Sequence, residues 1–75
     1  MRNSFKERKK KCYVELGRRI KTRREELELT QEDVSEKIGI TQVYLSQMER
    51  GERDLDLFAV MEICKIFGID INELI

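Results

Sequence analysis

Two short helical patterns separated by one glycine, between residues 30 and 51, constrain this chain most. Thr30 is a good N-cap residue, and Asp33 three positions later imitates the glutamate of a capping box. Gly39 follows the first pattern, where glycine easily adopts a left-handed backbone. Thr41 caps the second pattern, and Gly51 follows it. The sequence therefore predicts a helix, a tight turn and a second helix over residues 41–50.

The rest of the chain also predicts helices and no strands. Tyr13, Leu16, Ile20 and Leu27 recur at steps of three or four, with Arg24 in the remaining position, which is typical of a helix with one buried stripe. Ser4 and Glu7 form a possible capping box that would start this helix early. The two C-terminal helices are predicted from the caps Asp56 and Asp70, the stop at Gly68, and the inward residues Val60, Ile63, Cys64 and Phe67 followed by Ile71 and Leu74. The predicted fold is all-α, a compact five-helix bundle.

The charge is strongly divided along the chain, although 15 basic and 15 acidic side chains balance overall. Residues 1–24 contain eleven Lys or Arg against two acids, a net charge of +9, and residues 25–75 carry −9. Such asymmetry indicates either that one end of the chain binds a polyanion or that a solvated helix face pairs with acids elsewhere. The charge alone leaves both interpretations open.

Several classes of function are excluded or disfavoured by composition. The absence of histidine excludes His-based metal sites and Ser-His-Asp triads, and with no nucleophile–base pair or phosphate loop the sequence does not predict an enzyme. Cys64 is expected to be buried and Cys12 incidental, without a disulfide. No apolar run of membrane-spanning length or signal-peptide pattern occurs. We therefore expect no cofactor, no metal, no membrane partner, and a cytoplasmic, nucleoid-associated protein.

The segment from 30 to 51 has the residue types that a helix-turn-helix needs. Ser35 is small enough for close helix approach, Gly39 suits the turn, and Leu45 and Met48 anchor the second helix. On these residues the chain resembles the phage-repressor and Cro-type (XRE-like) helix-turn-helix family. The matching stretches are 16–21, 29–32, 39–42, 45–53 and 67–69, within a resemblance that runs from about Leu16 to Leu74.

The resemblance implies a lambda-repressor-like, five-helix domain that binds double-stranded operator DNA as a homodimer. The stretch 53–57 also resembles the loop of restriction–modification controller proteins, except that Asp54 and Asp56 replace neutral polar residues. The function expected is that of a sequence-specific transcriptional regulator, a repressor in the first instance. The alternative is a protein-interaction module, such as an antitoxin or anti-regulator, with the same fold.

Residue roles follow from position in the family. Gln42 and Gln47 are expected to read bases, since a glutamine amide matches adenine N6 and N7, and Val43 to pack on a thymine methyl. Arg24 and Glu49 are expected to form a buried ion pair with a structural role. The full set of predicted DNA-binding residues is Gln31, Thr41, Gln42, Val43, Tyr44, Ser46, Gln47, Arg50 and Arg53.

The sequence also predicts a division of the chain. Residues 1–12 are expected to form a basic N-terminal arm or a helix extension, and residues 13–75 the helix-turn-helix domain. The dimer surface is expected in the C-terminal part, where Phe58, Ile66 and Ile75 are surplus to the core stripe, although core packing is the alternative for each. The cations available for phosphate contacts in the arm are Arg2, Lys6, Arg8, Lys9, Lys10 and Lys11.

Overall fold

The computed structural model describes residues 4–75 and folds them into helices without a strand among them. This confirms the predicted all-α fold with five helices. The first helix is the longest, and the last is a single short turn. Their bounds are α1 (Phe5–Glu26), α2 (Gln31–Ile38), α3 (Gln42–Glu49), α4 (Leu57–Phe67) and α5 (Ile71–Leu74).

The predicted caps set the helix starts. Ser4, Thr30 and Asp70 each form a capping box with an acidic residue three positions later. The side chains of Thr41 and Asp56 each accept a backbone N–H bond, at 3.0 Å in both cases. Because these bonds satisfy N–H groups that a helix leaves without partners, they define where each element begins.

The core lies between α1, α2, α3 and α4. Ile20, Leu45, Met48, Ile63 and Val34 are fully buried. The four predicted inward residues of α4 are buried as well, and Leu74 closes the core from α5. Cys64 is buried, as predicted, and desolvation raises the pKa of its thiol, whereas Cys12 is exposed.

The predicted buried stripe of α1 was wrong at its end. Leu27 is 43% exposed, because α1 ends at Glu26 and Leu27 caps it. Glu28 then takes a φ of +59°, and the turned chain presents Leu29 to the core instead. Periodicity alone does not detect a non-glycine residue in the left-handed region.

α1 and α3 approach more closely than the sequence indicated. A Cβ at Gly17 would lie 2.2 Å from the carbonyl oxygen of Met48, and one at Gly51 would lie 2.6 Å from Val14 Cα. These two glycines let the backbones of α1 and the end of α3 touch. The close approach fixes the orientation of α3 against the body of the domain.

The basic N-terminal stretch is helical from Phe5 onward, so residues 5–12 are the first turns of α1. Arg2 lies outside the described residues. The division of the chain at residue 12 stays a prediction. None of the helices in the part of the chain that is described has the length and apolar character needed to cross a membrane.

Candidate nucleic-acid interface

The turn between α2 and α3 is built as the sequence predicted. Gly39 has a φ of +79°, and its N–H donates to the carbonyl oxygen of Ser35 at 2.9 Å. Ile40 N–H donates to the same oxygen at 3.0 Å, so the chain turns sharply over the end of α2. Ser35 is buried, and its hydroxyl donates to the carbonyl oxygen of Glu32 at 3.2 Å. These contacts hold α2 and α3 in one rigid unit.

The outward side of α3 carries polar and apolar residues together. Gln42 is exposed at its first position, and Val43 beside it is 67% exposed. Gln47 is half-buried one and a half turns further on, whereas Leu45 and Met48 on the inner side are fully buried. The helix is thus anchored from behind and presents Gln42 and Val43 to solvent, whereas Gln47 is partly covered.

Arg24 and Glu49 form the expected buried ion pair. Arg24 Nε donates to Glu49 Oε2 at 2.7 Å and Nη2 donates to Oε1 at 3.1 Å. The third donor, Nη1, reaches the Leu29 carbonyl oxygen at 2.8 Å. The two side chains are only 8% and 1% exposed, and hydrogen bonding to Glu49 raises the pKa of the Arg24 guanidinium. This pair joins the end of α1 to the end of α3.

Gln31 extends that pair toward the surface. Its Nε2 donates to Glu49 Oε1 at 3.0 Å, and its Oε1 accepts from Gln42 Nε2 at 3.5 Å. A carboxylate only accepts hydrogen bonds, which fixes the orientation of the Gln31 amide and turns its oxygen toward Gln42. The sequence predicted Gln31 as a DNA contact but not as a link between the buried pair and Gln42.

Arg50 also has a partner that the sequence did not predict. It caps the C-terminus of α3, and its guanidinium binds both carboxylate oxygens of Glu52, at 2.9 and 3.0 Å. Its Nη1 also donates to the hydroxyl of Ser46. The pair is exposed, yet Arg50 lowers the pKa of the Glu52 carboxyl. The opposite charges two positions apart were the only signal for it in the sequence.

Tyr44 and Arg53 are brought together on the side of α3 that faces the following loop. The Arg53 guanidinium carbon lies 4.7 Å from the Tyr44 ring centroid, a cation–π geometry. In the same loop, Asp54 accepts from Lys9 of α1 at 3.4 Å. The remaining predicted residue, Thr41, uses its hydroxyl as the α3 cap. The loop after α3 therefore places Arg53 on an aromatic ring of α3 and pairs Asp54 with a cation of α1.

The arrangement defines a helix-turn-helix domain of the DNA-binding class. Within residues 4–75, no group of three or more acidic or cysteine side chains has the geometry of a metal site. A family model described as "Helix-turn-helix" matches residues 20–74 of the chain. The chain therefore belongs to the XRE-type helix-turn-helix family of DNA-binding transcriptional regulators, which are not enzymes.

Curated relatives agree with this family. The chain is 38% identical over 52 residues to the uncharacterized HTH-type transcriptional regulator y4dJ of Sinorhizobium fredii, covering 69% of this chain and 68% of that protein. A propionyl-CoA carboxylase regulator of Cereibacter sphaeroides is 33% identical over 58 residues, 77% of this chain. The match spans only 13% of that regulator's length.

A solved structure supports the fold independently. The restriction-modification controller protein C.AhdI of Aeromonas hydrophila superposes with a TM-score of 0.82 at 26% sequence identity. The superposition covers 87% of this chain and 98% of the controller protein. The arrangement of the five helices is thus shared over nearly the whole of that smaller domain.

Proposed function

We propose that this protein is a repressor that reads a palindromic operator as a homodimer, with α3 in the major groove. The observation that carries the proposal is the division of α3 into two sides. Gln42 and Val43 are exposed at its N-terminal end, while Leu45 and Met48 behind them are fully buried. In this docking mode the N-terminal residues of the recognition helix reach base edges.

Base reading is assigned to Gln42, Val43 and Gln47. Gln42 Nε2 lies 3.5 Å from Gln31 Oε1, a weak contact that favours one orientation of the Gln42 amide. A restrained amide offers its donor and acceptor in a defined direction, as bidentate pairing with adenine requires. The contacts assigned to phosphates, which position the helix without reading sequence, are Gln31, Thr41, Tyr44, Ser46, Arg50 and Arg53.

The homodimer is proposed because one recognition helix contacts only a few base pairs. Phe58 and Met61 lie three residues apart on the outer side of α4 and are 68% and 45% exposed. Ile75 is 64% exposed, whereas Ile66 packs against the core and is better assigned there. Apolar side chains that are exposed next to one another mark interaction surfaces, whereas single ones are common on any protein. Sedimentation of the wild type and of Phe58→Lys tests this: a dimer that becomes a monomer supports the surface.

Operator reading is tested by selecting binding sites from random duplexes. The wild type is expected to enrich a palindromic motif with half-sites about one helical turn apart. Gln42→Ala is expected to lose roughly 1–3 kcal/mol of discrimination at one base pair per half-site. Asn72→Ala, which shortens an exposed amide on α5, is the matched control and should leave the motif unchanged. Repression is tested by placing the selected motif over a promoter in a transcription assay.

The acidic surface supports a second candidate, a protein-interaction module. Residues 25–75 carry a net charge of −9, which repels DNA phosphates. Failure to enrich any motif at low salt would favour this candidate over operator reading. Control of restriction–modification genes is the narrower form of the main proposal. It is supported by the likeness to C.AhdI.

A further inference from the structure

Arg50 lies on the same surface as the proposed base-reading residues. A shallow pocket of about 280 Å³ on the outer side of α3 is lined by Gln31, Gln42, Val43, Ser46 and Arg50. Arg50 is exposed at the C-terminal end of this surface. A guanidinium in that position is in reach of whatever occupies the pocket. Its availability therefore matters for binding.

In the free protein each of the three nitrogens of the Arg50 guanidinium donates one hydrogen bond, which uses three of its five N–H groups. Nε and Nη2 form a bidentate pair with the two oxygens of Glu52, and Nη1 donates to Ser46. The bidentate fork suits carboxylate and phosphate equally well, because both present two oxygens at similar spacing. A DNA phosphate at this site would compete directly with Glu52 for the same donors.

The position of Glu52 is set by the backbone and not by the ion pair alone. Gly51 has a φ of +70°, its N–H donates to Met48 O at 3.1 Å, and Glu52 N–H donates to Gln47 O at 2.9 Å. These two bonds are the Schellman closure of a helix, here at the end of α3. The closure returns the chain so that Glu52 faces Arg50.

We propose that Glu52 is a specificity-determining residue that withholds Arg50 from DNA until α3 is seated in its operator. In the operator complex a backbone phosphate takes the place of the carboxylate and Arg50 adds affinity. In non-specific complexes phosphates do not meet that fixed geometry, and Arg50 stays with Glu52. This inference rests on the proposed operator-reading function. It concerns discrimination between sequences, which base contacts alone do not determine.

The test compares Glu52→Gln with Glu62→Gln, which makes the same change in net charge. Glu62 pairs with Lys65 at 3.2 Å on α4 and takes no part in the α3 surface. Each variant is bound to the selected operator and to a random duplex of equal length over a range of salt concentrations. Circular dichroism first establishes that both variants are folded. The readouts are the dissociation constant and the slope of its logarithm against that of salt concentration.

Glu52→Gln is expected to tighten binding to the random duplex by roughly 2- to 5-fold, because the carboxylate of residue 52 no longer competes with phosphate for Arg50 and exposed ion pairs are weak. One additional phosphate contact steepens the salt slope for that duplex by about 0.9. On the operator, the salt slope of Glu52→Gln should equal that of Glu62→Gln, because Arg50 is already released from Glu52 in the operator complex. The ratio of operator to random affinity therefore falls.

Two outcomes overturn the inference while leaving operator reading intact. One is a Glu52→Gln protein that matches Glu62→Gln on both duplexes. The other is an equal gain in slope on both duplexes, which would make Glu52 a source of uniform repulsion. A wild type that selects no operator overturns the proposed function itself, and the inference falls with it. The operator selection therefore separates the two kinds of failure.

Discussion

Two Arg–Glu pairs sit side by side at the end of α3, and their surroundings differ completely. Glu49 is the last residue of the helix and pairs with Arg24, with side chains 1% and 8% exposed. Arg50 follows directly and pairs with Glu52, with side chains 56% and 52% exposed. The distances are nearly the same, 2.7 Å in the buried pair and 2.9 Å in the exposed one. Burial, and not geometry, separates their roles.

The buried pair acts as a fixed joint. Removing one partner would leave a charge without water or a counter-ion, which is costly in a low-dielectric interior. The exposed pair loses little when it opens, because water and salt screen both charges. The first pair therefore holds α1 against α3, while the second is free to exchange its partner for a DNA phosphate. One helix end thus combines rigidity with a replaceable contact.

The largest expected effect comes from breaking the buried pair. In Arg24→Met the buried Glu49 carboxylate loses its counter-ion and keeps its hydrogen bond from Gln31. This change should destabilise the domain by about 3–5 kcal/mol. Urea unfolding followed by circular dichroism measures this. Because a domain of 75 residues is stable by only about 4–11 kcal/mol, a shifted midpoint or outright unfolding is expected.

The double variant Arg24→Met/Glu49→Met is the control for this comparison. It removes both charges and fills the space with apolar side chains, so most of the lost stability should return. If the free energy of unfolding of Arg24→Met lies within about 1 kcal/mol of the wild-type value, the buried pair is not what holds α1 against α3.

Gly17→Ala tests the same joint through the backbone. Helix propensity alone favours alanine over glycine by about 0.8–1 kcal/mol. The new Cβ, however, would lie 2.2 Å from Met48 O and 2.9 Å from Glu49 O, so α1 must move away from α3. We expect a net loss of about 1–3 kcal/mol, the usual cost of overpacking, measured by the urea midpoint.

The sign of the change in stability of Gly17→Ala shows whether the close contact or helix propensity dominates. Thr22→Ala, an exposed substitution in the same helix, reports helix propensity without a contact. Stabilisation of both variants would mean that the close approach of α1 to α3 relaxes at no cost. Destabilisation of Gly17→Ala alone would show that the joint depends on backbone contact as well as on charge.

Opening the exposed pair should change stability far less. Glu52→Gln is expected to move the urea midpoint by a small fraction of the shift in Arg24→Met, because both partners remain hydrated. The small difference from wild type should vanish in molar salt, which screens exposed charges and leaves buried ones nearly unaffected. A loss comparable with that of Arg24→Met would erase the distinction between the two pairs.

The sequence predicted most of what secondary structure and capping determine. Thr30, Thr41 and Asp70 carry local signals whose effect does not depend on distant residues, and the family resemblance located the Arg24–Glu49 pair. The close contact at Gly17 was not predictable, because a glycine inside an amphipathic pattern does not say which backbone it meets. The prediction that Leu27 is buried was wrong for a related reason, because Glu28 adopts a left-handed backbone without being glycine.

The candidate site was predictable in its residue types but not in its internal contacts. Position alone assigned Gln31, Gln42 and Arg50 to a DNA-binding surface, and that assignment stays a prediction. The links from Gln31 to Glu49 and from Arg50 to Glu52 depend on side-chain rotamers and on the Gly51 turn. Such contacts are set by tertiary geometry, which residue spacing does not encode.

The smallest expected effect concerns another exposed ion pair, on α1, and extends the comparison to pH. Glu15 accepts hydrogen bonds from Arg18 at 2.6 Å and from Arg19 at 2.9 Å, and these bonds lower its pKa from an ordinary value of 4.5 to about 2. A carboxyl whose pKa is lower in the folded state contributes stability that is fully present above pH 4.5 and is lost as the pH falls through about 2.

The urea midpoint of the wild type should therefore fall as the pH falls from 4.5 to about 2, and Glu15→Gln should make this fall smaller. Glu36→Gln is the control, because it removes a carboxylate that forms no ion pair in the described part of the chain, and it should leave the fall unchanged. Equal pH profiles for the two variants would mean that exposed pairs here contribute nothing to the folded state, even when two arginines share one carboxylate. A flatter profile for Glu15→Gln alone would place this pair between the fixed joint and the exchangeable contact at the end of α3.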